Sequence, residues 1–427
     1  MRRNTTGRAL AVLCSSVLGA AALVALSAPA AHAAGVTCNA TDAAIYTPPP
    51  LVTGAPGTLL ACTPVTLPEV PGSIPMNAWK VQYASTDVSG NAVAVSGLVA
   101  VPTAKWTGTG TRPVVSFHFG TLGLGPQCAF SKQLAGAYQD EYEGDQIAAI
   151  LNAGWAVAAT DDIGYLDGQT HTYMAGRNMG HATLDVVRAA FQVPSVGLST
   201  TTKVGLWGYS QGGAASLWAA QLASSYAPSL NIVGDASGGI PADLRAVGNA
   251  SDGGPFAGFS ADASIGLSTA YPNLPFNSLE NDSGRATVAA LKTVCLTGTL
   301  AIGAGKKSVD STINHLTLDQ LYQIAGTDGV TWGQVVDAQK LGVGVGTRTS
   351  AAQYRIGFPV FQYHGLLDEV IPTSTEDAVH TAYCQAGITT QQSLYFADHM
   401  LADNGAISDV VSWLGDRFAG RAATGNC

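Results

Sequence analysis

The sequence predicts an α/β fold, a mostly parallel doubly wound sheet interrupted by an inserted, mainly helical cap. Three observations predict it. From about residue 110 to 237, short apolar runs alternate with segments whose apolar residues recur every three or four positions, the pattern of successive strand–helix–strand units. Across 238–353 that alternation stops, and Gly, Ser and Ala surround helical fragments such as RATVAALKTVCL and LTLDQLYQIA. It returns at FPVFQYHG and continues to the last helix. With 427 residues, 47% hydrophobic and 11% charged, the chain can bury an extensive core, which excludes a disordered chain and a fibrous repeat.

In chain order, residues 1–33 carry Arg2, Arg3 and Arg8 ahead of an apolar run from Ala9 to Leu26, then Ala31-His32-Ala33. This is the layout of a secretory signal cut after Ala33 or Ala34, and Cys14 is expected to leave with it. Ala, Ser and Gly dilute the run, which argues against a retained membrane anchor. Residues 34–75, rich in Pro, Thr and Gly, read as an irregular N-terminal arm. The first part of the sheet domain spans 76–237. WKVQYAST and AVAVSGLVAV flank DVSGN as a hairpin, and RPVVSFHFG is a strand closed by glycine. EGDQIAAILNAG places Ile147, Ile150 and Leu151 on one helical face and leads into the buried strand WAVAATDD. Leu184, Val187 and Phe191 mark a helix ended by Pro194. KVGLWG is a strand, QGGAASLWAAQLASSY a helix and LNIVGDASGG a strand. After the cap, 354–427 completes the domain with the strand FPVFQYHG, a helix from about Thr373 to Ala386, the strand SLYFA and a helix containing ISDVVSWLGDRF.

Loss of Arg2, Arg3 and Arg8 with the signal takes the formal charge from -9 to -12. A chain that acidic is repelled by nucleic acid and by anionic membranes, so no nucleic-acid partner is expected. Cys38, Cys62, Cys128, Cys295, Cys384 and Cys427 remain, an even number that in an oxidising compartment favours three disulfides. None is spaced like a zinc knuckle, and neither a metal nor an organic cofactor is expected. The expectation is a secreted, extracellular monomer.

GYSQG, 208–212, is the one G-x-S-x-G of the sequence, and it falls where a buried strand meets a helix. A chain that turns this abruptly needs residues nearly free of side chain two positions before and after the serine. Gly208 and Gly212 meet that demand, the turn lifts Ser210 above the sheet, and the helix start aims amides at the place where an oxyanion would form. A serine hydroxyl needs a histidine base held by a carboxylate. Asp368 follows the strand FPVFQYHG and His399 follows SLYFA, in the Ser–Asp–His order and at the carboxyl ends of strands, where open sheets carry their sites. Glu369 adjoins Asp368 and competes for the acid role. Asp377 lies in the same region, and Asp398 reads as a loop residue. His364 and His380 are better explained structurally, and His171 and His181 precede the nucleophile. In SFHFGTLGLG, His118 opens a glycine-rich loop where a second oxyanion donor belongs, so the amides of Gly120 or Thr121, with that of Gln211, are the candidates. GGPFAGFSADASIGLSTAYPNLPFNSL, 253–279, carries one charge, Asp262; it suits either a wall for acyl chains or the buried core of the cap.

Over about residues 60–420 the sequence resembles the secretory lipase family of α/β-hydrolases. The resemblance is carried by the hairpin leading to GLVAVP, by EYEGDQIAAILNAGWAVAATDDIG, GYSQGG, the long insertion, HGLLDEVIP and DHM. It implies a nucleophile at Ser210, an acid at Asp368 and a base at His399. It also implies bridges Cys128–Cys295 and Cys384–Cys427, leaving Cys38 with Cys62. HFGT departs from the family, where His-Gly-Thr without the phenylalanine is more usual. The implied activity is hydrolysis of carboxylic esters, including triacylglycerols, on a small-molecule or lipid substrate, with transient contact at a lipid interface. An acyltransferase or a prolyl-type peptidase using the same triad, and an extracellular binding protein without activity, are the competing readings.

Overall fold

The structure is a computed structural model that describes residues 36–427 except Gln139. The segment read as a signal, with Cys14, lies outside the described residues. A nine-stranded sheet runs through the molecule in the order β1-β2-β3-β5-β4-β6-β7-β10-β11. β1 (Leu59–Val65), β2 (Met76–Thr86) and β3 (Ala92–Pro102) form an antiparallel meander. The β2–β3 turn is the DVSGN hairpin, closed by Asp87 Oδ1, which accepts from the amides of Ser89 and Asn91.

β4 (Val114–His118), β5 (Ala156–Thr160), β6 (Lys203–Tyr209) and β7 (Asn231–Gly238) continue the sheet in parallel. Two three-residue strands, β8 (Val345–Thr347) and β9 (Tyr354–Ile356), pair separately. β10 (Val360–Gly365) and β11 (Thr390–Tyr395) finish the parallel set beside β7.

Among the described residues, ten helices of six or more residues accompany the strands: α1 (Gly144–Asn152), α2 (Gly176–Ala190), α3 (Gln211–Tyr226), α4 (Leu244–Ser251), α5 (Ala257–Ala270), α6 (Asp282–Leu291), α7 (Leu296–Gly303), α8 (Trp332–Asp337), α9 (Thr373–Gln385) and α10 (His399–Phe418). Alternation along each strand sends side chains to opposite faces. On β6, Val204 and Leu206 join the core layer that holds Met179 and Trp218 of α2 and α3. Trp207 and Tyr209 join the layer that holds Ile147 and Ile150 of α1 and Val410 and Leu414 of α10. Both faces are therefore covered, as the uninterrupted apolar strands require.

Two features depart from the sequence reading. The arm contains β1, an edge strand in which an exposed Pro64 and four partly exposed residues hide the alternation, and an edge tolerates proline because one side needs no ladder bond. The stretch between β7 and β10 is mainly helical but also holds β8 and β9, each at three residues too short to read from sequence. The disulfides join Cys38–Cys62, Cys128–Cys295 and Cys384–Cys427, the pairing that the resemblance implies. Cys128–Cys295 closes a separation of 167 residues, which in the loop-entropy picture is worth about 5 kcal/mol.

Candidate active site

Ser210 stands at the β6–α3 junction with φ 54° and ψ -121°, a backbone region that non-glycine residues enter only when the surroundings impose it. Those surroundings are close. A Cβ on Gly212 would lie 2.0 Å from the His118 carbonyl oxygen, and one on Gly208 2.3 Å from that of Gly212. The Ser210 amide donates to the Gly238 carbonyl at 2.9 Å, tying the turn to the end of β7.

His399 is the first residue of α10 and Asp368 follows β10. The structure brings them together: His399 Nδ1 lies 2.6 Å from Asp368 Oδ2, with both side chains buried. Asp368 Oδ1 accepts from the amides of Val370 and Ile371 at 2.9 and 2.8 Å, so the carboxylate is fixed by three contacts. Its hold on Nδ1 leaves Nε2 as the nitrogen available to a substrate. Glu369, the competing acid, reaches the His399 backbone amide at 3.2 Å rather than the ring, and Asp398 caps α10 by accepting from the Leu401 amide. Tyr209, beside the serine, donates its hydroxyl to the His399 carbonyl at 2.7 Å, and its ring lies 5.0 Å from the imidazole. Among the described residues no hydrogen bond joins the Ser210 hydroxyl to His399; such contacts are often loose without substrate.

The oxyanion candidates separate. The Gly120 amide donates to Glu143 Oε2 at 2.6 Å and is spent, so Gly120 is withdrawn as a donor. Thr121 lines the same cleft as Ser210; its amide meets no protein acceptor among the described residues, and its hydroxyl is held by Tyr173 at 2.7 Å. Gln211 opens α3, where first-turn amides have no intrahelical partner.

Beneath this loop lies a cluster that the sequence reading passed over. Asp162, with φ 69°, presents Oδ2 3.1 Å from His171 Nε2 and 3.4 Å from His118 Nε2, all three side chains buried. Burial alone would raise the Asp162 carboxyl, but the two imidazoles outweigh it and hold it well below the usual carboxylate range. His171 in turn lies 3.4 Å from the Gln211 side chain. The sequence signal was the acidic pair in WAVAATDD at the carboxyl end of a strand. Its neighbour Asp161 accepts from the Ser131 amide and hydroxyl.

A cleft with roughly 1480 Å3 of empty space, its solvent mouth included, leads from Ser210 and Thr121 into the helical stretch. Phe256, Phe259, Ala263 and Leu267, at helical spacing along and just before α5, line it with Leu279 and Trp332. The opposite side of α5 packs inward: Asp262 is fully buried against the Thr299 hydroxyl, and a Cβ on Gly266 would lie 2.4 Å from the Tyr173 backbone. The nearly uncharged segment 253–279 thus lines the cleft with one side and packs into the interior with the other.

The secretory lipase family matches this chain over residues 130–426. Lipase 10 of Candida albicans is 29% identical over 94% of this chain and 86% of its own. A protein of Mycobacterium tuberculosis named a probable inactive lipase is 31% identical over 86% and 80%. The crystal structure of Candida antarctica lipase A in its closed state superposes with a TM-score of 0.76 at 24% identity, covering 90% of this chain and 87% of that one. This chain is an α/β-hydrolase-fold lipase and belongs to the secretory lipase family.

Proposed function

We propose that Ser210 attacks the ester carbonyl while His399 Nε2 takes its proton, that Asp368 orients and stabilises the imidazole, and that the amides of Thr121 and Gln211 bind the tetrahedral oxyanion. His399 then protonates the leaving alcohol, and water repeats the sequence on the acyl-enzyme. The observation that carries this reading is the 2.6 Å contact of His399 with Asp368 beside a serine held at positive φ. The helical stretch acts as a cap, with the acyl chain running along the apolar face of α5. The substrate is a lipid ester such as a triacylglycerol, and residues 1–33 direct export and are removed.

Contact with aggregated substrate has its own support. Leu366, Leu367, Phe396, Met400 and Leu401 are exposed, Phe396 to 84%, and all lie within four residues of Asp368 or His399. Backbone bonds from Leu366 to Tyr395 and from Leu367 to Ala397 hold the two loops together. Residues 356–416 contain no Lys or Arg, so the patch suits an uncharged ester surface rather than an anionic membrane.

One relative named inactive keeps a second reading in view, a binding protein on this fold. Labelling by a fluorophosphonate, lost in Ser210→Ala, separates the two. Well-folded protein that neither labels nor hydrolyses p-nitrophenyl esters overturns the catalytic reading.

A further inference from the structure

The acidic pair that follows β5 grips the segment after β4 at two places. Asp161 accepts from the amide of Ser131 at 2.7 Å and from its hydroxyl at 2.5 Å. Asp162 serves the near end: its Oδ2 lies 3.4 Å from Nε2 of His118, the last residue of β4, and 3.1 Å from Nε2 of His171. Its Oδ1 accepts from the Ile163 amide at 2.7 Å. The Asp162 amide donates to Thr160 Oγ1 at 2.8 Å, which holds the residue at its φ of 69°.

Each imidazole leads toward one of the amides assigned to the oxyanion. His118 Nδ1 donates to the Phe119 carbonyl at 2.9 Å, since a carbonyl can only accept. The carbonyls of His118 and Phe119 press on the start of α3, 2.0 and 2.9 Å from where a Cβ on Gly212 would stand. His171 Nε2 lies 3.4 Å from the side-chain nitrogen of Gln211. Its ring also meets Tyr173 edge-on at 5.8 Å, and the Tyr173 hydroxyl holds that of Thr121 at 2.7 Å. One carboxylate therefore reaches the Thr121 loop and the Gln211 turn through one ring on each side.

On the reading of Ser210, Asp368 and His399 as the triad, we propose that Asp162 is the positioning residue of the oxyanion hole, holding the Thr121 loop through His118 and the Gln211 side chain through His171. Donors stabilise a developing charge best when they are aimed before the reaction starts, so the group that fixes both of them controls the rate rather than substrate binding. Burial opposes the ionised carboxylate, but the two imidazoles outweigh it. A carboxylate that merely filled a buried gap would affect Tm and leave the transition state untouched.

The test measures kcat and KM on p-nitrophenyl butyrate, the Kd of an alkyl trifluoromethyl ketone, and thermal melts. The hemiketal that such a ketone forms with Ser210 places an oxyanion in the hole, so its affinity reports on the donors directly. Asn enters positive φ as Asp does, so Asp162→Asn removes the charge while keeping the turn. It should lower kcat roughly thirtyfold with KM within about twofold, and weaken the ketone by a similar factor. His171→Phe keeps a ring between Tyr165 and Tyr173 and leaves Asp162 with His118; it should lower kcat and ketone affinity about tenfold. The double variant should be no worse than Asp162→Asn alone, because both changes break one chain of contacts. Folded Asp162→Asn with kcat and ketone affinity within about twofold of wild type, or with kcat reduced and ketone affinity unchanged, overturns the proposal. If Asp162→Asn does not fold, the same results in His171→Phe overturn it. Wild type without esterase activity overturns the triad reading instead, so the two failures are distinct.

Discussion

The two sides of the candidate active site are held by different kinds of contact. On the Asp368–His399 side, the partners follow neighbouring parallel strands, β10 and β11, whose spacing of about 4.8 Å brings the loops after them side by side. The Asp368 carboxylate is completed by amides two and three residues away. On the side of the proposed oxyanion donors, the loop 118–123 takes its shape from groups distant in sequence: Glu143 at Gly120, Tyr173 at Thr121 and Asp162 at His118. One side follows from strand order and short-range chemistry. The other depends on which remote side chains a buried loop meets.

The comparison can be broken most sharply on the local side. Ser210→Ala should lower kcat/KM roughly a million-fold, and Asp368→Asn about ten-thousand-fold through loss of the correct imidazole tautomer; an Asn variant within tenfold of wild type would mean that Asp368 does not serve the base. Next comes the contact between the sides. Gly212→Ala drives a methyl into the His118 and Phe119 carbonyls and should lower kcat about a hundred-fold or more by displacing both oxyanion donors, a fall that circular dichroism should show is not global unfolding.

Farther from the chemistry the expected effects shrink. Ala263→Phe, on the cleft face of α5, should cut hydrolysis of long-chain esters about tenfold relative to acetate, the scale on which apolar pockets discriminate; an unchanged chain-length profile would remove α5 from the acyl path.

The smallest effect is on stability against pH. Burial raises Asp235 and Glu376 to about 7 and Asp262 to about 8. These acids bind protons more tightly folded than unfolded, so the stability they contribute is full below about pH 4 and is lost as pH rises through 7 to 8. Tm should therefore decline from pH 5 to pH 8 by a few degrees, and a Tm that climbs over that interval would contradict the buried acids' protonation.

Most of the sheet was legible in the sequence because its strands are apolar on both faces and its helices carry regular apolar spacing. β1 was not, since an edge strand containing Pro64 shows no alternation. The contact of Asp368 with His399 and the strained turn at Ser210, which support the proposed triad, could be anticipated because glycine spacing and chain order are local signals. Gly120 was chosen wrongly because nothing near HFGT reveals that Glu143, twenty-three residues on, claims its amide. Asp162, which gathers His118 and His171, was missed for the same reason.

What the sequence determined by itself is the strained turn at Ser210, the chain order of Ser210, Asp368 and His399, the six cysteines beyond residue 33 and the long stretch without a cation around Asp368 and His399. Tertiary structure alone decided which amides stay unclaimed, which acids are buried and which face of α5 meets the cleft. Backbone geometry is imposed by residues a few positions apart, whereas desolvation and hydrogen-bond competition act through space between groups that only folding brings together.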